Sequence, residues 1–460
     1  MRFFKIAFLA VCCLLLSACS SFQPNLTDLM QSPKLTEEQA EIYEALTNAA
    51  DVSDVQLKYP KSGDYRSAFV MFDLDADGED EALVFYNMPS WGGNVRIMVL
   101  DHQQDEWVSV YDAVGEGTDV TEVDFQVLTA SGRHCVLIGW EQGTSENTSI
   151  SVYDYTGGQL RVLYESEYSQ MLIEDLDQDG TKEILLGIFK ASSKTGAIRL
   201  INDTEDGLQS ASRVVMDSTI TGFLGIEIGW LAQNQIAVFV DAYTSSTQIV
   251  TEIMVYTDDG KLRSLSSHYS GLDRPLLREV PVRCEDINGD GILEIPVSLV
   301  EYSEEEREED NRKNLLQYLY LSNPEELERL GEADSAENSQ AGSVTFTFSP
   351  VWTGFVNLDY GFRFQFPEEW IGQVNVVKES DRNEWVFTLR TEAAEPPALL
   401  RIRVYGQDEP RDVFDNLVYE QLEKRGVYEY YAAPVKSSAV PEQMQLSMEE
   451  IRERFSIVKS

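Results

Sequence analysis

Asp73-Leu-Asp-Ala-Asp-Gly-Glu-Asp-Glu81 runs into ALVFY, Asp175-Leu-Asp-Gln-Asp-Gly-Thr-Lys-Glu183 into ILLGIF, and Asp286-Ile-Asn-Gly-Asp-Gly-Ile-Leu-Glu294 into IPVSLV. Each stretch places oxygen-bearing side chains at positions 1, 3, 5 and 9, with glycine at position 6 for a sharp turn. Such a loop suits calcium, which takes six to eight oxygen ligands in flexible geometry and can use the carbonyl of position 7. The candidate ligands are Asp73, Asp75, Asp77, Glu79 and Glu81; Asp175, Asp177, Asp179, Thr181 and Glu183; and Asp286, Asn288, Asp290, Ile292 and Glu294. At position 7, Glu79, Thr181 and Ile292 offer a main-chain carbonyl. An EF-hand is excluded. It needs a bidentate Glu at position 12, where Val84, Leu186 and Val297 stand, and a following helix, where period-two apolar runs stand.

The interval between loops exposes two further copies. VDFQVLTASGRHCVLIGW sets Gly132 on the loop glycine but leaves Val127, Thr129, Ser131 and Cys135 at the ligand positions. IEIGWLAQNQIAVFV repeats the strand, turn and strand around Asn234, without carboxylates. Gly78, Gly132, Gly180, Asn234 and Gly291 are therefore 54, 48, 54 and 57 residues apart, a period that marks a propeller or an array. Each unit reads as four strands, with YTGGQL, DTEDGL and TDDGKL as hairpin turns between the third and fourth. The expected fold is mainly β, a β-propeller of about five four-stranded blades over residues 59–352. In the fifth unit VPVRC, LEIPVSLV, LLQYLYLS and SVTFTFSP are the strands, interrupted by charged insertions at 301–314 and 324–342 that read as solvated loops. The D-x-D-x-D-G-x-x-E loop between strands resembles the FG-GAP and VCBS repeats of calcium-binding β-propellers.

The N-terminus carries a different signal. Arg2 and Lys5 precede an apolar run, Ile6 to Leu16, shorter than the roughly 20 residues a spanning helix needs. A charged start, a short apolar core and small residues before the end describe a secretory signal over residues 1–18. Leu16-Ser17-Ala18-Cys19 resembles the lipobox of bacterial lipoproteins. That resemblance implies lipidation at Cys19, attachment to the cell membrane and an extracytoplasmic location; acyl chains anchor at about 0.8 kcal/mol per buried methylene. Residues 19–58 read as a tether and a short helix.

With 79 acidic residues against 36 basic ones, the formal charge is −43. Phosphate backbones are repelled by such a field, which excludes nucleic acid as the main partner. Export permits a disulfide, but Cys135 and Cys284 each sit in an apolar strand-like run and read as buried free thiols. The three histidines, His102, His134 and His268, form no triad or zinc pattern, and His134 reads as a packed strand residue.

Residues 353–460 follow another pattern: strands in 359–379, 384–392 and 398–406, then amphipathic helices at 412–426 and 447–458. Strands followed by helices describe a small α+β domain. Its Gly361-Phe-Arg-Phe-Gln-Phe-Pro-Glu-Glu-Trp370 opening resembles the PsbP-like domains of bacterial lipoproteins, which implies a non-catalytic binding or assembly module. The whole layout is similar to lipoproteins of Gram-positive anaerobes.

The reading expected from these features is a calcium-stabilised binding or scaffolding lipoprotein and not an enzyme. The alternative is a polysaccharide-degrading hydrolase or lyase with the propeller as platform. Loops joining second to third strands, with Trp91, Asn94 and Tyr243, are the candidate contacts for a glycan or protein ligand.

Overall fold

A computed structural model describes residues 35–51, 54–88, 92–143, 148–266, 270–299, 311–330, 344–379, 382–391, 393, 395–407 and 418–458. The signal segment and Cys19 lie outside these residues. Helix Glu37–Ala50 opens with a capping box between Thr36 and Gln39 and closes at Asp51 in the left-handed region. Ile42 and Leu46, one turn apart, bury against Phe69, Val84, Tyr86, Met98 and Leu100.

Four antiparallel sheets follow in chain order. The first holds Phe69–Phe72, Glu81–Asn87, Arg96–Gln103 and Glu106–Val114, with Gln56–Leu57 added beside the second of these. The next is Asp119–Val127, His134–Glu141, Thr148–Thr156 and Gln159–Tyr168. The third is Gln170–Glu174, Glu183–Lys190, Thr195–Thr204 and Gly207–Val215, and the fourth Gly222–Ala232, Gln235–Tyr243, Ile249–Thr257 and Lys261–Ser264. In each, sequential strands are neighbours, the pattern expected from the repeat. All five turn markers adopt positive φ: Gly78 97°, Gly132 71°, Gly180 90°, Asn234 60° and Gly291 88°. Glycine meets that demand without a Cβ penalty, and Asn tolerates it best among the other residues.

The chain divides into two compact units, one of residues 1–123 and 155–160, the other of 124–154 and 161–460. In the second unit, alternation along a strand shows how the sheets stack. Ile184, Leu186 and Ile188 pack with Leu137 and Val152 of the preceding sheet, whereas Leu185 packs with Val238 and Val240 of the following one. Ala237 and Phe239 face the other way, onto Ile295 and Leu319. A strand buried on both faces reads as a continuous apolar run, which is why ILLGIF and IAVFV lack polar alternation. Close stacking also explains Gly187, where a Cβ would lie 2.8 Å from Ile226 Cδ1.

The fifth unit departs from expectation. VPVRC forms no strand; Glu285 and Glu294 exchange only a pair of backbone hydrogen bonds, at 3.2 and 3.0 Å. Ile295–Ser298, Leu315–Leu321 and Phe348–Asn357 then continue into Phe362–Gln365 and Phe455–Ile457 from the C-terminal segment. Positions 352 and 353 thus lie within one strand. SVTFTF is split: Val344–Phe346 pairs in parallel with Ser270–Leu272 before Phe348–Asn357 begins. Part of the insertion read as solvated is packed, since Pro324–Leu330 forms a 3₁₀ turn that buries Leu327 and Leu330.

A last antiparallel sheet comprises Val374–Glu379, Glu384–Leu389, Ala398–Tyr405, Tyr428–Pro434 and Glu420–Arg425. The helix expected at 412–426 is not what forms where the chain is described. Glu420–Arg425 is an almost wholly exposed edge strand, turned back at Gly426 (φ 59°) onto Tyr428–Pro434. The β-forming Tyr428-Glu-Tyr-Tyr run supplies its partner, and Leu422, the half-buried residue of the strand, packs on the core. The final helix is also shorter than expected, Met448–Arg454, and yields to strand at Phe455. Phe362, Phe364, Phe366 and Trp370 form the core with Trp385 and Phe387, and Trp370 Nε1 donates to the Met444 carbonyl at 2.9 Å.

Candidate metal centres

The three acidic loops share one hydrogen-bond scaffold. The position-1 carboxylate accepts the N–H groups of positions 5 and 6. These bonds run from Asp77 and Gly78 to Asp73 at 3.1 and 3.0 Å, from Asp179 and Gly180 to Asp175 at 3.1 and 3.0 Å, and from Asp290 and Gly291 to Asp286 at 3.0 and 2.9 Å. The position-5 carboxylate accepts the N–H of position 7: Glu79 to Asp77 at 2.9 Å, Thr181 to Asp179 at 2.7 Å, Ile292 to Asp290 at 2.9 Å. One oxygen of the closing Glu accepts the N–H of position 2: Leu74 to Glu81 at 2.6 Å, Leu176 to Glu183 at 2.7 Å, Ile287 to Glu294 at 3.0 Å. The loop is thereby locked by its own ligands' spare lone pairs.

Carboxylate oxygens of Asp73, Asp75 and Glu81 come within 4.8 Å of one another, as do those of Asp175, Asp177 and Glu183. Two oxygens bound to one calcium at 2.3–2.6 Å lie up to about 5 Å apart, so both sets fit that ion. Asp77 and Asp179 stand outside these sets and hold the backbone of position 7. The third loop differs: Asn288 Nδ2 donates to Asp290 Oδ2 at 2.9 Å and to Glu294 Oε1 at 3.1 Å, so an amide occupies the place of the third carboxylate.

Glu81, Glu183 and Glu294 are almost fully buried while the Asp residues around them reach solvent. Burial disfavours the charged form and pushes each of the three up to about 7, against the pull of the backbone N–H and with help from neighbouring aspartates. A cation reverses that balance by favouring the carboxylate. When bound, calcium supplies positive charge that holds the acidic side chains together; the residues fitted to hold it are the two carboxylate triads.

Two tyrosines not anticipated from the sequence face these loops. Tyr256 Oη donates to Asp177 Oδ2 at 3.1 Å. Tyr155 lies in the field of Glu81, Asp75 and Asp77. Burial first, then these carboxylates, raise both phenols above their ordinary value. Each precedes a threonine at the end of the third strand of the next unit, in VYDYT and IMVYT, and that shared position was the available signal.

In the degenerate second loop, Thr129 and Ser131 hydroxyls hydrogen-bond to each other at 2.8 Å, while Val127 and Cys135 supply no oxygen side chain. Cys135 and Cys284 are buried free thiols, raised by that burial. His134, read as packed, is instead exposed at the start of its strand, whose burial begins one residue later; His268 lies outside the described residues. Trp91 also lies outside them. Asn94 is exposed and Tyr243 half-buried, its carbonyl accepting the Thr221 N–H at 2.7 Å.

No family model matches the chain, and no curated protein matches it. Solved structures with some likeness include the exotype rhamnogalacturonan lyase YesX, at 12% identity and TM-score 0.29, covering 46% of this chain and 48% of that one. A Bacillus licheniformis rhamnogalacturonan lyase gives 12% and 0.28, covering 53% of each chain. A Lactobacillus plantarum protein gives 12% and 0.26, covering 71% of this chain and 82% of that one. The chain spans about half the length of the two lyases. At these scores the likeness bears on neither site nor activity.

Proposed function

We propose that this chain is a calcium-stabilised binding module: a propeller of about five blades of the FG-GAP type with a PsbP-like C-terminal domain, held at the outer face of the cell membrane by a lipid on Cys19. The observation that carries it is the common scaffold of the three loops, in which every position-1 Asp and every closing Glu is fastened to the loop's own backbone. Carboxylates so engaged serve a cation and a fold. They are poorly placed to shuttle protons, which favours binding over the polysaccharide-degrading alternative. The in-order stacking of sheets two to five supports a propeller, and the anchor rests on the lipobox resemblance. The ligand, a glycan or a protein, would meet the loops on the side away from the calcium turns.

Calcium removal tests the reading. Metal analysis after dialysis against calcium should find two ions per chain at the carboxylate triads, with a third only if Asn288 turns its amide oxygen to the ion, and chelation should lower the melting temperature. At a hundredfold excess over Kd each site adds about 2.7 kcal/mol. An unchanged melting curve with chelator, or a chain that retains no calcium, would overturn it. A glycan and peptide array probed with and without calcium then separates glycan from protein as ligand.

A further inference from the structure

In a chain of formal charge −43, three cations line one small cleft. Lys190, Arg199 and Arg213 surround a cavity of about 240 Å³ together with Ser166, Glu167 and an aliphatic floor from Ile188. Arg199 and Arg213 are direct register partners between strands Thr195–Thr204 and Gly207–Val215. Opposed residues of an antiparallel pair share a face with their Cβ atoms about 5 Å apart, and like charges placed so are destabilising.

Among the described residues neither arginine forms an ion pair. Arg199 Nη1 donates to two neutral hydroxyls, Ser166 Oγ at 3.1 Å and Tyr164 Oη at 3.5 Å. Ser166 donates its own proton to the Glu167 carbonyl at 3.1 Å, which turns its lone pairs toward the guanidinium. Arg213 is exposed and forms no ion pair among the described residues. The carboxylate lining the cleft, Glu167, lies 3.5 Å from Lys190 and is engaged there. Two guanidinium groups remain on adjacent strands of one sheet, and that of Arg199 is held by the two hydroxyls. That is a donor set for an oxyanion whose two oxygens can accept side by side.

We infer that this cleft is an oxyanion-binding site that takes one carboxylate or phosphate group carried on a small polar ligand, with Arg199 and Arg213 as its two forks. Its volume lies just below the range of roughly 300–1,000 Å³ usual for drug-sized ligands, which matches a single sugar-sized unit. The site lies away from the acidic loops and is independent of the calcium reading.

Calorimetric titration of the whole protein with sodium glucuronate, inorganic phosphate and uncharged glucose at one fixed ionic strength tests it. At least one of the two anions should bind saturably, and the Arg199→Gln/Arg213→Gln double variant should bind it roughly tenfold more weakly or worse. Lys194→Gln, outside the cleft, should bind as wild type. Binding of glucuronate alone assigns a carboxylate ligand, and of phosphate alone a phosphate ligand. Without ligand the double variant should melt at or above wild type, because the cross-strand repulsion is gone; a purely structural role for the arginines would lower it. Should the double variant fail to fold, Arg213→Gln alone carries the comparison. Failure of both anions to bind, equal binding of glucose, or titrations unchanged by the substitutions overturns the inference.

Discussion

Tyr256 Oη and Asp177 Oδ2 lie 3.1 Å apart although 79 residues separate them, so the fourth sheet reaches a candidate ligand of the loop carried by the third. A neutral donor fixes the orientation of the carboxylate without cancelling its charge. Partners outside the ligand set typically cost 10–100-fold in metal affinity when removed. Tyr256→Phe should therefore weaken calcium binding at the second loop by roughly tenfold and leave the first loop unchanged. Calorimetric titration that resolves the sites checks this; equal affinities in both proteins would assign the tyrosine to packing alone.

Loop position 4 is left-handed in all three loops: Ala76 at φ 63°, Gln178 at 61° and Gly289 at 82°. An L side chain pays roughly 1–2 kcal/mol there, partly offset by the added freedom glycine has when unfolded. Gln178→Gly should stabilise by about 0.5 kcal/mol, and Gly289→Ala should destabilise by about 1 kcal/mol. Gln178→Ala should be close to neutral, whereas Asp177→Ala should abolish calcium's effect at that loop. Denaturant unfolding in saturating calcium measures the backbone terms, and the opposite sign for Gln178→Gly would refute the conformational account.

Much of this architecture is legible because strand period, turn glycine and acidic spacing agree. ILLGIF and IAVFV show continuous apolar character, and their flanking turns show positive-φ residues. Elsewhere the decisive partner lies far away in sequence. Glu420–Arg425 has a helix-like charge pattern, but its hairpin with Tyr428–Pro434 fixes it as a strand. Phe455–Ile457 ends in the sheet begun by Ile295–Ser298, a pairing no local period reveals. The clustering of carboxylates in the first and third sheets' loops was readable from their spacing; their tyrosine partners were not, because the loop and the residue that touches it belong to different repeats.

Glu252 sits buried and accepts the Asp217 N–H at 2.8 Å. Burial raises its pKa above the ordinary 4.5, against that hydrogen bond. A carboxyl raised on folding contributes stability that is present below the unfolded value and lost as pH climbs through the folded one. The stability difference between wild type and Glu252→Gln should therefore shift toward the variant as pH rises from about 4.5 into the neutral range. Gln keeps the acceptor, so the hydrogen bond survives. Denaturant unfolding at several pH values reads the difference; one that is flat with pH would show that Glu252 titrates alike in both states.

Arg278 and Asp241 are both fully buried, with Nη2 2.8 Å from Oδ1. The guanidinium also donates through Nε to the Val282 carbonyl and through Nη1 to Thr251 Oγ1, each at 2.8 Å, and Thr251 in turn donates to Asp241 at 2.6 Å. This network fastens strand Leu277–Arg278 and the Val280–Val282 turn, closed by the Val282 N–H to the Val280 carbonyl at 2.8 Å, to the centre of the fourth sheet. Removing one charge strands the other away from water, a loss of about 3–5 kcal/mol. Arg278→Met should reach that range. Replacing both residues with apolar ones of similar volume, Arg278→Met with Asp241→Leu, should recover much of it, because desolvation of two ions disappears together with their attraction. A double variant no more stable than Arg278→Met would show that the hydrogen bonds to Val282 and Thr251, more than the paired charges, hold this segment in place.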